Sequence, residues 1–338
     1  MHGTRRAAGS SLTEQSVAKS PDLFARRNRA RISLLLVLAT INYMIATALA
    51  TVAVVVGAVL AIIFGLEIFP DDLDTLKYMG IGIAGIAVLS ATAGIVIGLV
   101  RIPFQRRTLE RRVLAETGAH IAAPDEHPEV RNLLEGLALA SGLPVPRFAV
   151  IDDDAPNSFG VGTRPSNTVI GVTTGLHKTL SRDELEAILA YEVSRIASWD
   201  IALASWTVAL TSGAISAVDA NDDNVLKGVL GYLPRRFGEW LQVWALRDQG
   251  VERDRAAIRF TRNPASLIKA LEKLDADTST IKYVTRATAP LWVEFPAHVV
   301  SSASTKATRR LASELLLDER IDYLRDLARL PVESTEPA

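Results

Sequence analysis

Two uncharged apolar runs limit what this chain can fold into more than any other feature. Ile32–Phe64 holds 33 residues and Tyr78–Val100 holds 23, with no Asp, Glu, Lys or Arg in either. A helix needs roughly 20 apolar residues to cross a bilayer core. A cleaved signal peptide carries only about 7–15 apolar residues behind a short charged start. The first run begins after 31 residues, so it reads as a retained anchor whose excess length allows tilt. The expectation is a transmembrane helical hairpin over 32–100, with spans at 32–64 and 78–100. It follows a disordered N-terminus (1–31) and precedes a charged connector (101–127).

Flanking charge sets the expected orientation. Arg5, Arg6, Lys19, Arg26, Arg27, Arg29 and Arg31 precede the first run. Arg101, Arg106, Arg107, Arg111 and Arg112 follow the second. The loop between them carries Glu67, Asp71, Asp72 and Asp74 against a single Lys77. Basic flanks stay inside, which places both termini and the main domain in the cytoplasm, with the acidic loop outside. A third uncharged stretch, Ile201–Val218, and the weaker Val225–Leu233 mark 201–233 as a candidate membrane-embedded segment. The lipid bilayer is therefore the first expected partner.

Composition removes several chemistries. The chain has no cysteine, which rules out disulfides, thiol nucleophiles and cysteine metal ligands. Its five histidines, His2, His120, His127, His177 and His298, form no local ligand pair. A net charge of −1 gives no overall pull toward nucleic acid, and none is expected as a partner. No G-x-S-x-G motif supports a serine triad.

Beyond the connector, the periodicity at Leu133, Leu134, Leu137 and Ala138 predicts a helix over Pro128–Ser141, stopped by Gly142 and Pro144. Short strands are expected at Arg147–Ile151, Ser158–Val161 and Thr168–Val172. Ser181 followed three residues later by Glu184 is a capping box. It opens a helix to about Ser198 with an apolar stripe at Leu185, Ile188, Leu189 and Ile196. Seven residues on from Leu185, that stripe lands on Glu192. A carboxylate on a buried helix face is costly unless something pairs with it or binds it.

At this point the residues carry a family likeness. Leu143-Pro144-Val145-Pro146-Arg147, Ala155-Pro156-Asn157-Ser158-Phe159, Val172-Thr173-Thr174-Gly175-Leu176 and Ser181-Arg182-Asp183-Glu184-Leu185-Glu186 resemble the HtpX-like integral-membrane zinc metallopeptidases, relatives of the CaaX prenyl endopeptidases. Thr261-Arg262-Asn263-Pro264, with Leu267 to Leu274 after it, resembles them too. The likeness implies a mainly α protein: a membrane hairpin plus a zincin-like α+β peptidase-type domain over 128–336 with a small sheet. It also implies a prokaryotic plasma membrane as the location, and zinc held by H-E-x-x-H on the capped helix. There, two histidines one turn apart bind the metal and the Glu activates its water.

This sequence departs from that pattern at each metal position. The motif reads Tyr191-Glu192-Val193-Ser194-Arg195, so Glu192 keeps the general-base place and both histidines are replaced. Counting back from Asn263-Pro264 puts the family's third-ligand motif at Gly250-Val251-Glu252-Arg253-Asp254, with Gly250 in the ligand place and Glu252 two residues away. The supporting aspartates, Asp200 and Asp254, are kept. A guanidinium stays protonated and repels a dication, so no zinc or other cofactor is expected. Instead Arg195 is expected to pair with Glu192, with Asp254, or else Asp200, accepting further hydrogen bonds from Arg195 or the Tyr191 hydroxyl. Three readings follow. The first is a pseudopeptidase that binds membrane-protein segments by strand addition along Thr168, Val169, Ile170, Gly171 and Val172. The second is an active zinc endopeptidase with a rearranged ligand set. The third is a scaffold subunit of a membrane complex.

Overall fold

The computed structural model describes residues 23–45, 73–219, 240–246, 263–277 and 288–293. It also describes shorter stretches at 47–48, 51–52, 55–56, 258, 279, 281–282, 284–285, 320–322 and 324–326. The chain divides into two compact units, Ser33–Arg107 in one and Met1–Ile32 with Thr108–Ala338 in the other. Helix α1 covers 23–45 and α2 covers Leu73–Thr117.

Within the unit Ser33–Arg107, small residues let the two helices meet. A Cβ on Gly94 would come within 2.6 Å of the Met44 Cα, so only glycine permits this approach. The Thr47 hydroxyl donates to the Ser90 carbonyl at 3.0 Å, and the Ser90 hydroxyl donates to Thr51. Small residues and hydroxyl bonds at a helix contact are how apolar helices associate where no water drives them together. Val88, Leu89, Val96, Leu99 and Val100 point outward and are exposed. Among the described residues one helical stretch, Val88–Thr117, is long and apolar enough to cross a membrane, with mean hydropathy 1.6.

Two expected boundaries move. The span 78–100 and the connector 101–127 are not separate elements, because α2 runs through Pro103 as far as Thr117. The residues after Pro103 are mostly good helix formers and compensate for one lost hydrogen bond. Leu109 and Val113, one turn apart, then bury in the second unit. At the other end, residues 23–31 were expected to be disordered but are helical. Asn28 is fully buried and its side-chain amide donates to the Ser198 carbonyl at 2.9 Å. The rest of that expected region, 1–22, lies outside the described residues, as does most of 46–72.

The second unit holds the site. Strand β1 (His120–Ile121) leads to α3 (Pro128–Ser141), which starts at a proline and ends at Gly142 in the left-handed conformation, φ 65°. Then come β2 (Arg147–Ile151), β3 (Ser158–Arg164) and β4 (Asn167–Thr173), with Pro165-Ser166 turning the β3–β4 hairpin. Helices α4 (Thr174–Thr179), α5 (Arg182–Ala197), α6 (Asp200–Asp219) and α7 (Pro264–Asp275) follow. The capping box at Ser181 and Glu184 forms as expected. Phe148, Val150, Ile170 and Val172 alternate onto one face of the sheet. They share a core with Leu134 of α3, Leu185, Ile188 and Leu189 of α5, and Leu271 and Leu274 of α7. The protein is thus mostly helical with one small mixed sheet, the fold class expected of it.

Strand order is β1-β2-β4-β3, and this corrects the expected substrate strand. Thr168–Val172 lies in β4, which pairs with β2 in parallel and with β3 antiparallel. Both of its hydrogen-bonding edges are taken, so it offers none for strand addition. The edge strands of the sheet are β1 and β3. The candidate membrane segment 201–233 is corrected in part. Ile201–Ala209 are buried inside the protein, where the Ser205 hydroxyl accepts from the Gly162 N–H at 3.0 Å. An 18-residue uncharged run serves a core helix as well as a membrane one when a sheet covers it. Residues 220–233 lie outside the described residues.

One contact ties α5 to α7. Lys273 Nζ sits 2.6 Å from the Glu184 carboxylate. Burial works against that carboxylate, but Lys273 and the Ser181 N–H outweigh it and hold Glu184 below its ordinary value. A lowered carboxyl stabilises the fold above the ordinary value, and the stabilisation is lost as pH falls through the folded one. Lys273→Met is therefore expected to cost about 0.5–1 kcal/mol near neutral pH, since the lysine is partly exposed. The difference from wild type should vanish in acid melts, once pH has fallen through the lowered folded value of Glu184.

Candidate functional site

The site is built where α5, the α5–α6 corner and β3 converge. Tyr191, Glu192 and Arg195 lie on α5, and at most 1% of any of these side chains is exposed. After α5 the chain turns sharply at Trp199, whose φ of +61° is the left-handed region. A bulky side chain rarely accepts that conformation. The turn brings Asp200, only five residues past Arg195, back against the guanidinium. Asp200 also sits in the first turn of α6, where the helix dipole favours an anion.

Arg195 is the hub. Its Nε donates to Asp200 Oδ2 at 2.8 Å, and its Nη1 donates to Glu192 Oε2 at 3.0 Å and to the Leu291 carbonyl at 3.1 Å. Its Nη2 is buried with no hydrogen-bond partner among the described residues. Glu192 accepts a further bond from the Ser158 hydroxyl on β3, at 3.0 Å. Gly160 makes the approach of strand and helix possible. A Cβ there would run into Ile201 and come within 3.1 Å of Glu192 Oε2. Two cations lie over the Tyr191 ring, with Arg320 Cζ 4.9 Å and Arg195 Cζ 5.9 Å from its centroid.

Burial and charge act in opposite senses here. Burial disfavours the Arg195 cation, yet Glu192 and Asp200 outweigh it and raise its pKa above the ordinary value. Burial pushes Glu192 up, against the pull of Arg195 and the Ser158 hydroxyl. Arg195 is thus the fixed charge of the cluster, and Glu192 is the member that burial drives toward its neutral form.

Comparison with known proteins places this arrangement. The model of peptidase family M48 matches residues 124–317, more than half of the chain and all of the cluster's α5 and α6 residues. The chain belongs to peptidase family M48. Among similar proteins, a protease HtpX homolog of Dictyoglomus turgidum is 29% identical over 229 residues, 63% of this chain and 74% of that one. One of Thermococcus sibiricus is 30% identical over 240 residues, covering 65% and 80%. One of Lactiplantibacillus plantarum is 28% identical over 250 residues, covering 65% and 83%.

The donor set does not fit the zinc that the M48 resemblance implies. A guanidinium held by two carboxylates stands at one ligand place and a tyrosine ring at the other. A catalytic zinc needs three protein ligands and a water. Among the described residues no group of three or more His, Asp or Glu is placed to hold a metal. Gly250, Glu252, Asp254 and His298 lie outside the described residues. The ring neighbours of His177 are those of His127, 5.0 Å away between centroids, not the cluster. Tyr191 and Arg195 therefore do not supply the histidine ligand pair that the resemblance implies.

Sequence reasoning missed three parts of this M48 site. In the sequence Ser158 reads only as a motif letter and the start of a strand. Leu291 contributes a main-chain carbonyl, which no side-chain pattern reveals. Arg320 lies far along the chain with no local signal. The apolar run Ala289-Pro290-Leu291-Trp292-Val293 was the one available hint that a segment near the C-terminus enters the core.

Removing one partner of a buried ion pair leaves an uncompensated charge. Arg195→Ala is expected to lower stability by about 3–5 kcal/mol in denaturant unfolding of the detergent-solubilised chain. Glu192→Gln should cost less, because the amide oxygen still accepts from Arg195.

Proposed function

We propose that this chain is a non-catalytic M48 member, a membrane-anchored pseudopeptidase that works by binding rather than by cleavage. The observation that carries this reading is Arg195, fully buried at a metal-ligand place and bonded to both neighbouring carboxylates. Such a network holds α5, α6 and β3 in register as a metal would, without activating water. Buried ion networks seldom add much net stability, so register is the more natural role. On this reading the apolar helices anchor the chain in a plasma membrane with both termini and the main domain in the cytoplasm, following the basic flanks. Its partners are segments of membrane proteins, and β3 is the strand they would have to address, since β4 is internal.

A scaffold role is the second reading. It is favoured by the outer edge of β3, which other parts of the chain already cover.

Elemental analysis of chelator-washed, detergent-purified protein tests the first reading. The expected result is near zero zinc per chain and no hydrolysis of an unfolded membrane-protein substrate. About one equivalent of zinc with hydrolysis would overturn it and point to a ligand set including Glu252, His177 or His298.

A further inference from the structure

The outer edge of β3 carries an occupant from the chain itself. Trp292 pairs with Phe159 as a one-residue antiparallel bridge. The Val293 N–H donates to the Ser158 carbonyl at 2.9 Å, and the Trp292 and Phe159 rings meet with centroids 5.1 Å apart. Two buried arginines pin the backbone of this segment: Arg195 donates to the Leu291 carbonyl, and Arg320 donates to the Val293 carbonyl at 3.2 Å. Further along β3, the Gly162 N–H is taken by Ser205. The segment Thr288–Val293 is uncharged, and Ala289, Leu291, Trp292 and Val293 are buried.

We propose that Thr288–Val293 is a plug that occupies the β3 edge in cis, with Arg195 as its anchor, and that an extended apolar peptide docks only by replacing it. This rests on the non-catalytic reading above, in that the docked segment is held and not cut. The residue that excludes a metal thereby does a second task, because the same guanidinium nitrogen that meets Glu192 also fixes the plug. The plug's own chemistry defines the competitor. An unpaired strand edge is a template for another strand. Releasing the plug exposes Leu291 and Trp292, so only a segment that re-buries apolar and aromatic side chains can take its place. A tethered segment also has a high effective concentration, so the edge stays closed to weak or charged peptides.

The test uses the full chain in nanodiscs and a dye-labelled hexapeptide with the plug's sequence, Thr288 to Val293. Val293→Pro removes the N–H that bonds Ser158. Trp292 before it already has ψ 154°, the extended region that a following proline favours. This variant should bind the hexapeptide at least tenfold more tightly than wild type, with slowed amide exchange over 158–162 on binding. A second variant, Phe159→Cys with Trp292→Cys, joins directly opposed positions in a chain that has no other cysteine. Oxidised it should bind no peptide, and reduced it should bind. The proposal is overturned if Val293→Pro folds and gains no affinity. It is equally overturned if the cysteine variant binds alike in both redox states, which decides the matter should Val293→Pro fail to fold. Mass analysis of the recovered peptide separates the two readings, since cleavage would sink the non-catalytic reading while leaving the redox-dependent binding intact.

Discussion

A guanidinium with no access to water has to be met by charge, and the site is arranged around that requirement. Arg195 reaches Asp200 across the α5–α6 corner, Glu192 on its own helix and a main-chain carbonyl from residue 291. Each contact fixes a different element. The Asp200 bond accounts for the left-handed corner at Trp199, which would otherwise be an unfavourable conformation without a purpose. The Glu192 bond, extended to Ser158, brings β3 against α5. The Leu291 bond closes the far side. Substituting apolar residues for the whole cluster would be less harmful than removing one member, because the cost lies in leaving charge unpaired.

The sheet follows the same logic of leaving nothing open. Its inner strand, β4, is paired on both sides, and β3 is covered by α6 through Ser205 and by the segment around Trp292. Gly160 admits this covering, since any larger residue would separate β3 from Ile201 and Glu192. At this point the fold is a packed interior with charge at its centre.

Much of this was legible beforehand. The capping box at Ser181, the helix stop at Gly142 and the stripe from Leu185 to Ile196 are local signals, and each element formed where those signals placed it. Glu192 stood out because a carboxylate interrupts an apolar stripe, and Arg195 three residues away was within reach on the same helix face. The illegible parts were non-local. The rank of Thr168–Val172 in the sheet depends on which strands flank it, and an apolar strand reads alike at an edge or in the middle. Ile201–Val218 showed length and apolarity, which a bilayer and a protein core both accept.

By itself the sequence determined that the chain carries long uncharged apolar runs, that it resembles the M48 peptidases, and that Tyr191, Glu192 and Arg195 share one helix. These are properties of composition, period and residue identity, which a linear chain displays directly. Tertiary structure alone decided that β4 is internal and that α2 continues past Pro103. It alone decided that Asp200 is brought onto Arg195 and that residues 288–293 lie along β3. Those outcomes rest on backbone carbonyls, strand neighbours and contacts between residues up to about a hundred positions apart, as with Arg195 and Leu291. Closing so long a loop leaves no periodic mark in the sequence, because the free energy that selects it comes from burial and pairing in the assembled core.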